Sequence, residues 1–252
     1  VALAPLRAIL RSYQKLAIAF SGGVDSSVLL CIAKEILGPE NVLALTIKAP
    51  IFPPEDLALA AETAWRLGLK VVGVEADLLA LEAFTQNPPD RCYYCKKYMY
   101  EKLLRVAHYK GFDILADGTH ADDLSTYRPG LRALKELGVV TPLVEAGVSK
   151  KQIRLWAYQR GLRQAQRPAA PCLATRFPHG SPIRKKYLQQ ILQAERIVRA
   201  WGLESFRVRH LEQEAVLEIA DSSLIDKFSL TFLIQHIKDL GFTKFSVKII
   251  KN

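Results

Sequence analysis

Cysteine is scarce in this chain: four residues in 252, too few for a disulfide scaffold, so a Cys-x-x-Cys pair reads instead as metal-binding or redox-active. No apolar run approaches the roughly 20 residues that cross a bilayer, and no membrane partner is expected. The first residues lack a charged-then-apolar leader with a cleavage site, which leads us to expect a cytoplasmic protein. The five histidines show no ligand spacing such as His-x-x-x-His. The Walker pattern Gly-x-x-x-x-Gly-Lys-Ser/Thr and the dinucleotide turn Gly-x-Gly-x-x-Gly are both absent. Acidic residues are outnumbered, 25 against 35 basic, for a net charge of +10. That charge suits nucleic acid, but it suits a nucleotide, pyrophosphate or an anionic substrate equally well.

What is present starts with Ser21-Gly22-Gly23-Val24-Asp25-Ser26, directly after the apolar run Leu16-Ala17-Ile18-Ala19-Phe20. Adjacent glycines between a buried strand and a helix let several N–H groups converge on one anion, and the helix N-terminus adds its partial positive charge. Ser21, Gly22, Gly23, Asp25 and Ser26 are therefore candidate phosphate-binding residues. The hexapeptide resembles the loop of the PP-loop ATP pyrophosphatases, which split ATP between its α and β phosphates.

The pattern predicts an α/β fold: a Rossmann-like parallel sheet followed by a smaller C-terminal α+β domain. Strands are expected at Leu16–Phe20, Val42–Ile47, Val71–Glu75 and Asp113–Asp117, with a last strand at Val139–Val144. Helices are expected after the glycine turn, after Pro53-Pro54, from Asp90 (a candidate N-cap) to Lys110, and from a Ser149 cap to Tyr158. Between Arg163 and Ser181, four prolines at or just beyond the ends and inside the segment (Pro168, Pro171, Pro178, Pro182) describe a long loop. Beyond it come a helix (Ile183 to Trp201), strands at Phe206–His210 and Ala215–Ile219, a helix from Ser222 to Leu240, and a strand at Lys244–Ile250. The expected division is 1–165 for the nucleotide domain, 166–182 for a cysteine-bearing linker, and 183–252 for a small substrate or oligomerisation domain.

Cys92 and Cys95 fall at the start of a helix, where basic neighbours and the helix end favour thiolates. With Cys172, in the proline-rich loop, they make three candidate metal ligands. Three is one short of a closed Cys₄ site, and an open iron–sulfur cluster, a Cys₃His zinc site using His179, and a Cys92–Cys95 redox pair all remain open. Cys31, flanked by Leu29, Leu30 and Ile32, reads as core. Thr46 ends the second strand where adenine binds in such sheets. Gly118 and Asp122 lie in Asp117-Gly118-Thr119-His120-Ala121-Asp122-Asp123, at the end of the fourth strand, where carboxylates suit Mg²⁺. Arg207 and Arg209 share one strand face and could clamp an anion, though a solvated face explains them equally well.

The glycine turn, Asn87-Pro88-Pro89-Asp90-Arg91-Cys92-Tyr93-Tyr94-Cys95, Asp117-Gly118-Thr119, Ala121-Asp122-Asp123, Tyr127-Arg128-Pro129-Gly130 and Pro171-Cys172-Leu173-Ala174-Thr175-Arg176 together resemble the LarE family. These are ATP-dependent sulfurtransferases of nickel-pincer nucleotide biosynthesis. The resemblance implies adenylation of a carboxylate of pyridinium biscarboxylic acid mononucleotide, then displacement of AMP by a sulfur nucleophile. It implies ATP and Mg²⁺, with a four-iron–four-sulfur cluster on Cys92, Cys95 and Cys172 in the three-cysteine type, whereas Cys172 itself donates sulfur in the one-cysteine type. It further implies catalytic or substrate-binding roles for Asp25, Arg176, Glu195, Arg207, Arg209 and Asp226, and a homo-oligomer, with a hexamer as one form. With no RNA-binding domain and no aromatic platform interleaved with basic residues in the sequence, no nucleic-acid partner is expected. Two places depart from the family: Ala49, where serine is expected, and the stretch at Leu211, where a basic pattern is expected. The competing expectations are a tRNA thiolase, an amide-forming synthetase, and a zinc-stabilised nucleotide-binding module without catalysis.

Overall fold

The computed structural model describes residues 3–125, 127–168, 171–220 and 230–250. In chain order the elements are α1 (Ala4–Arg11), β1 (Leu16–Ala19), α2 (Val24–Leu37), β2 (Val42–Lys48), α3 (Pro54–Arg66), β3 (Val71–Glu75), α4 (Glu82–Thr85), α5 (Arg91–Tyr109), β4 (Leu115–Ala116), α6 (Gly130–Glu136), α7 (Pro142–Glu145), α8 (Lys150–Gln159), α9 (Lys185–Ala200), β5 (Phe206–Leu211), β6 (Glu214–Ile219), α10 (Leu230–Asp239) and β7 (Lys244–Ile249). Packing divides them into two compact units, Val1–Leu78 with Asp90–Ala169, and Leu79–Pro89 with Ala170–Asn252. No helix among the described residues is long and apolar enough to cross a membrane.

The first unit is a parallel sheet of order β3-β2-β1-β4. All four residues of β1 are buried, as expected for a strand covered on both faces, whose sequence then reads as a continuous apolar run. One face packs Leu6, Leu10, Val28, Ile32, Ile153 and Trp156 against the sheet; the other packs Tyr100, Leu103, Ala107 and Leu134. The chain runs outward from β1 through β2 to β3, then crosses back to place β4 on the opposite side of β1. The order reverses between β1 and β4, and at such a switch point the carboxyl ends of parallel strands open a crevice for ligands.

Two local expectations need correction, and one element was not anticipated. Val139–Val144 is not a strand: Val140 makes a single bridge to Ala116, and Pro142, which cannot donate to a ladder, opens the short helix α7 instead. The N-terminal helix α1 went unread, although Leu6 and Leu10 stand one turn apart on its buried side. Asp90 occupies the N-cap position of α5, but its side chain makes no capping bond. Ser149 does cap α8, in a reciprocal capping box with Gln152.

The start of the predicted loop is strapped down within the first unit. Gln164 is buried against the Thr63 hydroxyl, Arg154 donates to the carbonyls of Ala165 and Arg167 at 2.7 and 3.1 Å, and Arg167 reaches Asp56 at 2.6 Å.

The second unit holds a mixed three-stranded sheet, β5-β6-β7, antiparallel then parallel. Leu188, Ile191, Ala194 and Val198 of α9 are buried, as are Val208, Leu217 and Ile219 of the sheet and Leu233 and Ile237 of α10. Residues 79–89, placed by sequence in the nucleotide domain, group with this unit. Asn87 shows why: fully buried and left-handed at φ 58°, it donates from its amide to the carbonyls of Pro178 and Ser181 at 2.6 and 3.0 Å. Asparagine tolerates that backbone region better than most residues.

Candidate active site

The glycine turn joins β1 to α2 at the carboxyl edge of the sheet. Gly22 has φ 73°, and a Cβ there would meet Ala60 of α3 at 2.9 Å, so both backbone and space demand glycine. The Ser21 and Ser26 hydroxyls stand 3.2 Å apart, Ser26 also donates to the Gly23 carbonyl at 3.2 Å, and the Gly23 N–H donates to Ser21 Oγ at 3.3 Å. The loop is thus closed on itself ahead of α2, whose N-terminus supports an anion.

The turn after β4 meets this loop across the switch point. A Cβ on Gly118 would lie 2.9 Å from the Ser26 nitrogen; here glycine is required for close approach alone. Asp117, just before it, accepts from the Thr119 N–H at 2.7 Å and from the hydroxyls of Thr119 and Tyr100, with Lys96 Nζ at 3.2 Å. Burial alone would raise the Asp117 pKa, but Lys96 and these hydrogen bonds outweigh it and hold the carboxyl below its ordinary value. Burial, together with the Asp117 charge, pushes Tyr100 well above the usual phenol range. A carboxylate held anionic between the two elements therefore joins the switch-point turn to α5.

Around Asp25 the structure assembles Lys150 and His120, which the sequence reading passed over, with Asp122, which it named. Lys150, first residue of α8, donates to both Asp25 oxygens at 2.6 Å, and its backbone N–H donates to Asp122 Oδ2 at 2.7 Å. His120, only 7% exposed, sets Nε2 3.4 Å from Asp123 Oδ1 and 4.0 Å from Asp25 Oδ1. Its Nδ1 and the Ser27 hydroxyl are buried without a hydrogen-bond partner among the described residues. The sequence signal for Lys150 was its position at the head of a capped helix; His120 offered only its place between the strand-end glycine and the paired aspartates. Thr46 is buried on β2, paired in register with Gly73.

The thiols divide between the units. Cys92 is exposed and Cys95 buried on the first turn of α5, in the first unit, and Cys172 is half-buried in the second. Among the described residues, no group of three or more His, Cys, Asp or Glu is arranged to hold a metal ion. Cys31 is buried in the core, and burial, then Glu35, raises its thiol pKa.

In the second unit Arg176 and Glu195 are both buried and paired, Nε to Oε1 at 2.6 Å and Nη2 to Oε2 at 3.2 Å. Arg209 Nε donates to Glu218 at 2.7 Å across β5 and β6, and Arg207 is exposed. Asp226 lies outside the described residues.

A family model described as NAD synthase matches residues 8–92. The chain is 34% identical, over 88% of its own length and 81% of the relative's, to the pyridinium-3,5-bisthiocarboxylic acid mononucleotide synthase of Lactiplantibacillus plantarum. It is also 35% identical, over 94% of its length and 89% of the relative's, to an uncharacterised protein of Synechocystis sp., and 32% identical, over 94% and 90%, to one of Methanocaldococcus jannaschii.

Proposed function

This chain belongs to the LarE family of PP-loop proteins, and on that premise we propose that it transfers sulfur to a carboxylate of pyridinium biscarboxylic acid mononucleotide at the expense of ATP. The observation that supports the reading is the close approach of Gly118 to the glycine turn at the β1–β4 switch point, the place where an α/β sheet binds nucleotide.

In this reading the N–H groups of the Ser21–Ser26 turn hold the phosphates, and Lys150 lends its ammonium to the negative charge that builds as pyrophosphate departs. A substrate carboxylate oxygen attacks the α-phosphorus, the bond to the bridging oxygen breaks, and pyrophosphate leaves with the electron pair. A sulfur nucleophile then adds to the activated carbonyl carbon, and AMP leaves as the C–S bond is completed. Asp122, its side chain more than half exposed, would hold a magnesium ion, which would supply neutralising charge for the phosphates. Arg207, exposed on β5, suits the substrate's own phosphate.

For the sulfur we propose a four-iron–four-sulfur cluster on Cys92, Cys95 and Cys172. When bound on three thiolates, such a cluster leaves one iron open to carry a sulfide. The fit is one of donor chemistry and not of observed arrangement. Anaerobic purification with iron and acid-labile sulfide analysis tests it: each of Cys92→Ala, Cys95→Ala and Cys172→Ala is expected to lose iron, and iron content unaffected by all three rejects the cluster. Pyrophosphate release that requires the pyridinium mononucleotide tests the wider reading. Release that requires ammonia, with amide as product, would favour the synthetase alternative that the match over residues 8–92 supports.

A further inference from the structure

Arg176, Glu195 and Arg209, which the family resemblance gives to substrate binding or catalysis, all take part in one hydrogen-bonded assembly around the turn that carries Cys172. Thr175, a residue without an assigned role, sits at its centre. Its N–H and its hydroxyl both donate to the Cys172 carbonyl, at 3.0 and 2.8 Å. The Thr175 hydroxyl in turn accepts from Arg176 Nη1 at 2.8 Å, and the same nitrogen donates to the Pro171 carbonyl at 3.2 Å. The Thr175 carbonyl accepts from Arg209 Nη1 at 2.6 Å. Glu195 closes the assembly: beyond its two bonds with Arg176, its Oε1 accepts from the Val208 N–H at 3.3 Å, so the pair is anchored to β5.

The geometry points to a different division of labour: Thr175, Arg176, Glu195 and Arg209 are positioning residues that fix the backbone of the Cys172 turn, and the buried Arg176–Glu195 pair does not itself contact substrate. The buried Arg176 guanidinium donates from all three of its nitrogens, and the Glu195 carboxylate accepts from three donors, which leaves this pair little capacity for a ligand. What they supply is a rigid seat for one thiol, and thiol chemistry is steep in placement. The inference rests on the reading that Cys172 takes part in sulfur transfer, but its test does not depend on that reading alone.

Thr175→Val removes the hydroxyl while keeping volume and charge, and Thr175→Ser restores it. Thr175→Val is expected to lower kcat for thiolated product by about tenfold with KM for the pyridinium nucleotide unchanged, and Thr175→Ser to recover most of the loss. In the metal-free full chain, the rate of Cys172 alkylation by iodoacetamide, followed by peptide mass mapping, is expected to rise roughly threefold in Thr175→Val, as the half-buried turn loosens, with Cys92 unaffected. Arg209→Lys gives the same pattern through the loss of the bond to the Thr175 carbonyl, and serves if the valine variant does not fold. A raised KM with unchanged kcat, or an unchanged Cys172 alkylation rate in both variants, overturns the assignment. Should the wild-type chain transfer no sulfur, the alkylation rates still decide the positioning role, and only the wider reading fails.

Discussion

Lys150 donates from one ammonium to both carboxylate oxygens of Asp25, at 2.6 Å each, across 125 residues of sequence. The bond fastens the head of α8 to the first turn of α2, directly behind the glycine turn, and brings a cation to the proposed nucleotide site. Both side chains are part-exposed, so the pair itself adds at most about 1 kcal/mol to stability. On the proposed reading, its value lies in the charge it would redirect toward a nucleotide.

Removing that charge should therefore cost activity more than stability. Lys150→Ala is expected to lower pyrophosphate release by about tenfold or more, while the urea midpoint shifts little. Lys150→Arg should retain part of the rate. In a double-mutant cycle with Asp25→Asn, the losses should be clearly non-additive, since each partner acts through the other.

Gly118 offers a test of contact without conformational strain. The Cβ of Gly118→Ala would come within 2.9 Å of the Ser26 nitrogen, and backbone yields poorly, so the variant should lose about 1–3 kcal/mol of stability. It should also weaken ATP binding, which isothermal titration calorimetry would measure. Gly138→Ala meets no neighbouring atom but has φ 66°, so it should cost about 1 kcal/mol and leave ATP binding intact.

The aromatic box of the second unit predicts a pH dependence. His210 packs among Phe177, Tyr187 and Phe242 with centroid separations of 5.1, 4.5 and 5.3 Å, and burial lowers its pKa from 6.5. The unfolded chain then binds a proton that the folded one refuses, so stability falls as pH drops below 6.5 and levels off once the folded histidine also titrates. His210→Phe should flatten this limb of a urea-midpoint profile between neutral and mildly acidic pH. An unchanged slope would remove His210 from the account.

The cysteines should separate by chemistry. In the folded metal-free protein, iodoacetamide at mildly alkaline pH is expected to modify exposed Cys92 readily and to spare Cys31, whose thiol is buried and raised in pKa. In urea, Cys31 should react as fast as the others.

The sequence made the glycine turn legible because its signal is local: strand, paired glycines and helix follow one another within a few residues. The sheet strands were legible for the same reason, β1 being apolar throughout because both faces are covered. What stayed hidden depends on registry between distant segments. Lys150 looks like any surface lysine until α8 is docked behind α2. Asn87 belongs to a motif whose apparent purpose was to introduce two cysteines, yet it ties residues 178–181 in place. Arg176 and Glu195 were named only through the family resemblance, and not as each other's partners, since 19 residues separate them. Val139–Val144 misled because apolar, β-branched composition cannot be told from a buried turn until Pro142 is weighed against the need for a ladder donor.

Only two residue pairs join β1 to β4, Ala17 with Leu115 and Ile18 with Ala116, whereas β2 and β3 match over five. The narrowest lateral seam of the sheet thus lies directly under the crevice that the phosphate loop and the Gly118 turn share. A triphosphate bridging those two turns would act as a staple across it, lending the seam a cohesion its own short ladder lacks. On the proposed reading, occupancy by nucleotide and integrity of the first unit would in this way rise and fall together.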